Sequence, residues 1–235
     1  MLRAVLFDFN GVLVDDEPIH LELTRRVLRE EGLTLSARDY FGGLVGVPDR
    51  ACFRAALEHS GRRADERSLT ALVERKAAYY RELMERPGIP VFPAAGPLLA
   101  ALSAAGLRLG LVTGALRREV VPILERAGWL KAFEALVTAE DVAAGKPDPA
   151  CYHLGLERLS SGRSSREPPL QPHEVAAIED SANGLAAARG AGLVTIGVTH
   201  SFAAERLAAA DLVVAGLGAL TIERLSERFA RATSR

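Results

Sequence analysis

The feature that most constrains this chain is its opening apolar run, Ala4-Val5-Leu6-Phe7-Asp8-Phe9, which stops at Asn10-Gly11. A run so short, closed by a turn pair, reads as a buried strand. Similar runs recur at 109–113, 174–179 and 194–198, with a weaker one at 211–214. Helical patterns fill the intervals at 95–105, 117–127, 150–159 and 183–191. Strands alternating with helices of this length predict an α/β fold with a parallel sheet and helices on both faces.

The rhythm breaks between the first two strands. Residues 16–86 hold amphipathic stretches at 19–31, 50–58 and 68–84 and no convincing strand. In the last stretch Leu69, Leu72, Val73, Tyr79, Tyr80 and Leu83 recur at three- and four-residue steps, with Lys76 among them. A crossover this long predicts an inserted helical domain at 16–86, within a core made of 1–15 and 87–235. The return link at 87–93 is rich in proline and expected to be stiff. The polar stretch 160–172 reads as an exposed insertion.

Charge narrows the function. Lysine and arginine number 29 against 30 aspartates and glutamates, a net charge of −1, which excludes broad attraction to nucleic acid or an anionic membrane. Two cysteines, Cys52 and Cys151, exclude a disulfide framework and a cysteine-based zinc motif, and both read as small buried thiols. No apolar run is long enough to span a bilayer, and Asp8 comes too early for a signal peptide. A cytoplasmic protein without nucleic-acid or membrane partners is expected, as a monomer or homodimer.

In an open parallel sheet, ligands bind beyond the carboxyl ends of the strands. Asp8 and Asn10 follow the first strand, Thr113-Gly114 closes the second, and Glu179-Asp180 closes the strand near 175. Lys146 lies in Ala144-Gly145-Lys146-Pro147-Asp148-Pro149, before a helix. Three carboxylates in one crevice, Asp8, Glu179 and Asp180, repel one another and call for a cation, and oxygen ligands suit Mg²⁺. Lys146, the Thr113 hydroxyl and the Gly114 amide would donate to an anion beside it. Carboxylate nucleophile, divalent cation and phosphate cradle together predict phosphoryl transfer through an aspartyl-phosphate. Each residue alone also has a plainer reading: Asp8 as a turn cap, Asp180 or Ser181 as a helix cap, Thr113-Gly114 as a strand end, Lys146 as a solvated lysine. Four such coincidences in one crevice are improbable.

Phe7-Asp8-Phe9-Asn10-Gly11-Val12-Leu13-Val14-Asp15 resembles the first motif of the haloacid dehalogenase superfamily. Leu111-Val112-Thr113-Gly114 resembles the second, Gly145-Lys146-Pro147-Asp148-Pro149 the third, and Ile178-Glu179-Asp180-Ser181-Ala182-Asn183-Gly184 the fourth, in the family's order. The insert is similar to the helical cap of the phosphatase and β-phosphoglucomutase-like branch. The resemblance implies a Rossmann-like core with an inserted α-helical cap and Asp8 as nucleophile. It implies Mg²⁺ held by Asp8, the backbone carbonyl of Asn10 and Asp180, with Glu179 as a further ligand or supporting acid.

Asn10 departs from that pattern, which has a second aspartate there to protonate the leaving oxygen and then activate the attacking hydroxyl. An amide cannot shuttle a proton at neutral pH. Loss of general acid–base help slows hydrolysis by about 10²–10⁴-fold. Three explanations stand side by side: a slow phosphatase helped by water or by Glu17 or His20, a phosphate-binding protein without turnover, and an altered sequence. A metal-free dehalogenase ranks behind them, because Glu179 and Asp180 keep the metal-site acids. Within the insert, Asp16, Glu17, His20, Arg50 and Lys76 are the polar candidates for substrate contact. Solvated helix charge is the plainer reading of Arg50 and Lys76, and Phe41, Tyr79, Tyr80 and Trp129 read as packing. The expected function is Mg²⁺-dependent hydrolysis of a small phosphorylated metabolite, with a sugar-phosphate mutase or a non-catalytic phosphate-binding module as alternatives.

Overall fold

The structure, a computed structural model, describes residues 1–44, 47–84, 88, 90–161 and 168–232. In chain order its main elements are β1 (Ala4–Phe7), α1 (Glu17–Glu30), α2 (Ala37–Gly43), α3 (Asp49–His59), α4 (Glu66–Met84), α5 (Ala95–Ala104) and β2 (Arg108–Val112). Then follow α6 (Arg117–Arg126), β3 (Ala135–Val137), α7 (Ala150–Ser161), β4 (Val175–Glu179), α8 (Ala182–Gly190), β5 (Val194–Val198), β6 (Leu212–Val214) and α9 (Ile222–Ala232). The chain divides into two compact units, Met1–Asp15 with Ile89–Arg235, and Asp16–Gly88.

The first unit carries a six-stranded sheet in the order β3-β2-β1-β4-β5-β6. Every neighbouring pair is parallel. Strands β1, β4 and β5 are buried along their whole length, as a sheet covered by helices on both faces requires. Leu6, Val112, Val137 and Ala177 share one apolar cluster with Tyr152 and Leu159 of α7 and Ala187 and Ala188 of α8. Each large apolar side chain buried in this way stabilises the fold by about 1.5–3 kcal/mol.

The second unit is helical and has its own core, in which Val27 and Leu28 of α1 meet Phe53 and Leu57 of α3 and Leu69 and Leu72 of α4. Cys52 and Cys151 are both free and buried, the first in α3 and the second in α7. Phe41 is 51% exposed but packs edge-on against the Tyr40 ring. Tyr80, by contrast, is buried. No described helix is long and apolar enough to cross a membrane.

Three elements go beyond the sequence reading: β3, α2 and α9. Residues 162–167 of the polar insertion, and Arg86, Pro87 and Ile89 at the domain boundary and return link, lie outside the described residues. The first strand ends at Phe7 and not at Phe9. Beyond it the Phe9 carbonyl accepts from the backbone N–H groups of Val12, Leu13 and Val14, and Gly11 takes a φ of +72°. That tight turn follows Asp8 at the strand's carboxyl end and includes Asn10, and glycine is the residue that adopts such a φ without strain.

Candidate active site

From β1 the chain fills one side of the sheet with β2 and β3, then the other with β4, β5 and β6. Loops leaving β1 and β4 therefore diverge, and the crevice at such a switch point is where ligands bind in open α/β sheets. Register does the rest: Phe7 lies opposite Ile178, and the Asp8 N–H donates to the Ile178 carbonyl at 3.0 Å. Asp8 thus stands beside Glu179, the last residue of β4, with Asp180 next to it. Ligand atoms of Asp8, Glu179 and Asp180 all lie within 4.8 Å of one another.

Lys146 reaches this cluster from the loop before α7. Its ammonium donates to Asp8 Oδ1 at 2.8 Å and to the Val112 carbonyl at 3.0 Å, and it pairs with Glu179 Oε1 at 2.6 Å. An ammonium has three N–H groups, and three protein acceptors occupy them. With its side chain only 12% exposed, Lys146 is not a solvated surface lysine. Burial works against its charge, but the adjoining carboxylates of Asp8 and Glu179 hold its pKa above the ordinary lysine value.

Glu179 is wholly buried. Tyr152 Oη, on the first turn of α7, donates to Glu179 Oε1 at 2.5 Å, and Ser181 Oγ lies 3.4 Å from Oε2. A Cβ on Gly184 would overlap this carboxylate, so that glycine lets α8 start directly over it. Burial, opposed by Lys146, pushes the Glu179 pKa up to about 7. Burial and the neighbouring Asp8 and Glu179 charges raise Asp180 well above the usual carboxylate range. Helix capping does not explain Asp180, because Ser181 is the N-cap of α8 and accepts the Gly184 N–H at 3.1 Å.

With all three carboxylates ionised against one ammonium the cluster would carry two negative charges, and the raised pKa values of Glu179 and Asp180 reflect the cost of burying that charge. An all-oxygen donor set with that excess fits a divalent cation such as Mg²⁺. Thr113, buried just after β2, accepts the Ala115 N–H at 3.0 Å, a contact that does not use its hydroxyl proton. Gly114 beside it is exposed. Asn10 forms a backbone bridge with Val14.

The polar candidates of the helical unit are engaged inside that unit. His20 Nε2 is 3.2 Å from Asp16 Oδ2, which also accepts from Tyr80 Oη at 3.0 Å, and the His20 ring stacks on Tyr80. Glu17 accepts from Tyr40 Oη at 2.6 Å. Arg50 is exposed and pairs with Glu66 at 2.5 Å. Lys76 corrects its solvated reading: it is 3% exposed and ion-paired with Asp49. Sequence reasoning missed Tyr152, which no spacing signals, and His200-Ser201, which the strand-end rule applied to β5 would have found.

The family model for haloacid dehalogenase-like hydrolases matches residues 2–192. The chain is 32% identical to the phosphorylated carbohydrates phosphatase of Thermotoga maritima over 85% of this chain and 87% of that relative. It is 28% identical to the β-phosphoglucomutase of Bacillus subtilis over 97% of this chain and 96% of that one. The crystal structure of CbbY from Rhodobacter sphaeroides in complex with phosphate superposes with a TM-score of 0.77 at 26% identity, covering 94% of this chain and 96% of that one. With its four motifs gathered at one end of a six-stranded parallel sheet, this chain belongs to the haloacid dehalogenase-like hydrolases.

Proposed function

We propose that this chain is a Mg²⁺-dependent phosphatase of small phosphorylated carbohydrates, acting through an aspartyl-phosphate on Asp8 and slowed by Asn10. The observation that carries the reading is the buried excess of acid around Asp8, with one lysine spanning Asp8 and Glu179. Asp8, Asp180 and the backbone carbonyl of Asn10 would hold Mg²⁺, with Glu179 beside them. The bound cation screens the repulsion between a carboxylate and a phosphate dianion.

Lys146 fixes Asp8 through Oδ1 while a carboxylate oxygen of Asp8 attacks phosphorus and the ester P–O bond breaks. The Thr113 hydroxyl and Gly114 N–H orient the phosphoryl oxygens. Glu179, held by Tyr152, keeps the Lys146 ammonium in place. The departing alkoxide then takes a proton from solvent, since the Asn10 amide has none to give. Water next attacks phosphorus, the bond to Asp8 breaks and inorganic phosphate leaves. The carbohydrate substrate class is supported by the Thermotoga maritima relative.

The mutase reading is favoured by the nearly full-length similarity to β-phosphoglucomutase. It asks for a second phosphate contact, yet Lys76 and Arg50, the sequence candidates for that contact, are already paired with Asp49 and Glu66. Phosphate release from a panel of sugar phosphates, with Mg²⁺ and with chelator, tests the phosphatase. Slow, Mg²⁺-dependent release without isomerisation of a hexose 1-phosphate primed by a bisphosphate is expected. Isomerisation would establish the mutase, and phosphate binding without release from any ester would establish the binding module.

A further inference from the structure

We infer that His200, in the loop after β5, is a positioning residue that orients the Asn10-Gly11 turn for its cation; the inference rests on the Mg²⁺ reading above. Its Nδ1 lies 2.9 Å from the Gly11 carbonyl oxygen. A carbonyl only accepts, so Nδ1 carries the proton and donates it. The imidazole stacks on Phe92, with ring centroids 3.8 Å apart and planes 19° apart. Its other edge lies against Gly216, where an added Cβ would come within 2.7 Å of Nε2. Phe92 is itself tied to the turn, since its N–H donates to the Leu13 carbonyl at 3.1 Å.

This arrangement bears on the cation through the peptide plane. The Asn10 carbonyl and the Gly11 N–H belong to one planar peptide, so fixing the N–H aims the carbonyl. Val14 accepts that N–H at 2.8 Å, and His200 anchors the next peptide through the Gly11 carbonyl. Both peptides flanking the Gly11 Cα are therefore held. The next residue of the same loop, Ser201, hydrogen-bonds Asp180, and a Cβ at Gly11 would crowd both Asp180 and the Ser201 hydroxyl. One loop outside the four motifs thus supports two of the expected metal residues. Partners of this kind characteristically govern metal affinity by about 10–100-fold.

The test is Mg²⁺ titration calorimetry on the full chain, with thermal unfolding of each variant alongside. His200→Phe keeps the ring on Phe92 and removes the donor, and should weaken Mg²⁺ binding by about 10-fold. His200→Asn presents an N–H near the Nδ1 position and should recover most of that loss. His200→Gln, whose amide reaches toward the Nε2 position, should recover less. That Asn–Gln difference decides the matter even if the phenylalanine variant does not fold. Parental Mg²⁺ affinity in His200→Phe with only a lowered melting temperature, or His200→Asn binding no tighter than His200→Gln, overturns the inference. Asp180→Asn separates the two failures: if it loses Mg²⁺ binding while the His200 variants keep it, only the positioning role falls. If it too keeps binding, the metal reading falls with it.

Discussion

The sheet unit and the helical unit treat charge in opposite ways. In the sheet unit, side chains 138 positions apart converge, Lys146 on Asp8, and acid remains in excess. In the helical unit the candidates are matched among themselves: His20 with Asp16 one turn away, Lys76 with Asp49, Arg50 with Glu66, Glu17 with Tyr40. A charge met by a partner needs no ligand to account for it. An unmatched buried charge is costly to keep, and a protein retains it where something else completes the set. The comparison supports the proposed site in the sheet unit and makes most of the helical unit's charge a matter of its own architecture.

The largest effect expected from breaking the comparison is at Asn10. Asn10→Asp would supply the missing proton shuttle and should raise turnover by about 10²–10⁴-fold, with little change in Mg²⁺ affinity because the proposed metal contact at this residue is its backbone carbonyl. Turnover no faster than the parent rejects the missing-shuttle argument. The asparagine itself should persist on storage. Deamidation needs the Gly11 nitrogen to attack the Asn10 side chain, and that N–H is held by Val14. Peptide mass spectrometry should find no growing fraction of aspartate at position 10.

Next comes the acid excess. Asp180→Ala should weaken Mg²⁺ binding by at least about 10-fold in calorimetry. Glu179→Gln should cost less, because the Glu179 carboxylate already serves Lys146 and Tyr152. Equal losses would mean that Glu179 meets the cation as directly as Asp180 does.

The smallest effect belongs to the helical unit. Lys76→Met leaves Asp49 without its partner, and Asp49 is about one-third exposed, so water recovers part of the loss. A destabilisation of about 1–3 kcal/mol in denaturant unfolding is expected, with the Michaelis constant nearly unchanged. A large rise in the Michaelis constant at unchanged stability would return Lys76 to the substrate.

What the sequence made legible follows from where its information is local. Strand ends and short loop motifs carry their signal in a few contiguous residues, so Asp8, Thr113 and Glu179-Asp180 at strand ends, and Lys146 in the loop before α7, could be singled out without the fold. Strand β3 has only three residues, Ala135-Leu136-Val137, too few to show a period. Helix α2 ends in Gly42-Gly43, both poor helix formers, and its N-cap, Ser36 accepting the Asp39 N–H, is easily passed over. Partner choice was illegible in principle. Nothing in a one-dimensional pattern says that Lys76 will be buried on Asp49, that Tyr152 will reach Glu179, or that His200 will meet Gly11. Those contacts depend on how helices and loops from distant parts of the chain pack.

The most direct test of the central claim is acid-quench trapping of the enzyme with a ³²P-labelled sugar phosphate, followed by peptide mapping. Asn10 cannot activate the water in the proposed discharge step, so the aspartyl-phosphate that forms should live long enough to be trapped. The account predicts Mg²⁺-dependent label on the peptide containing Asp8 that is absent from Asp8→Asn and short-lived in Asn10→Asp. Label that survives Asp8→Asn, or turnover that proceeds at the parental rate in that variant, would contradict it.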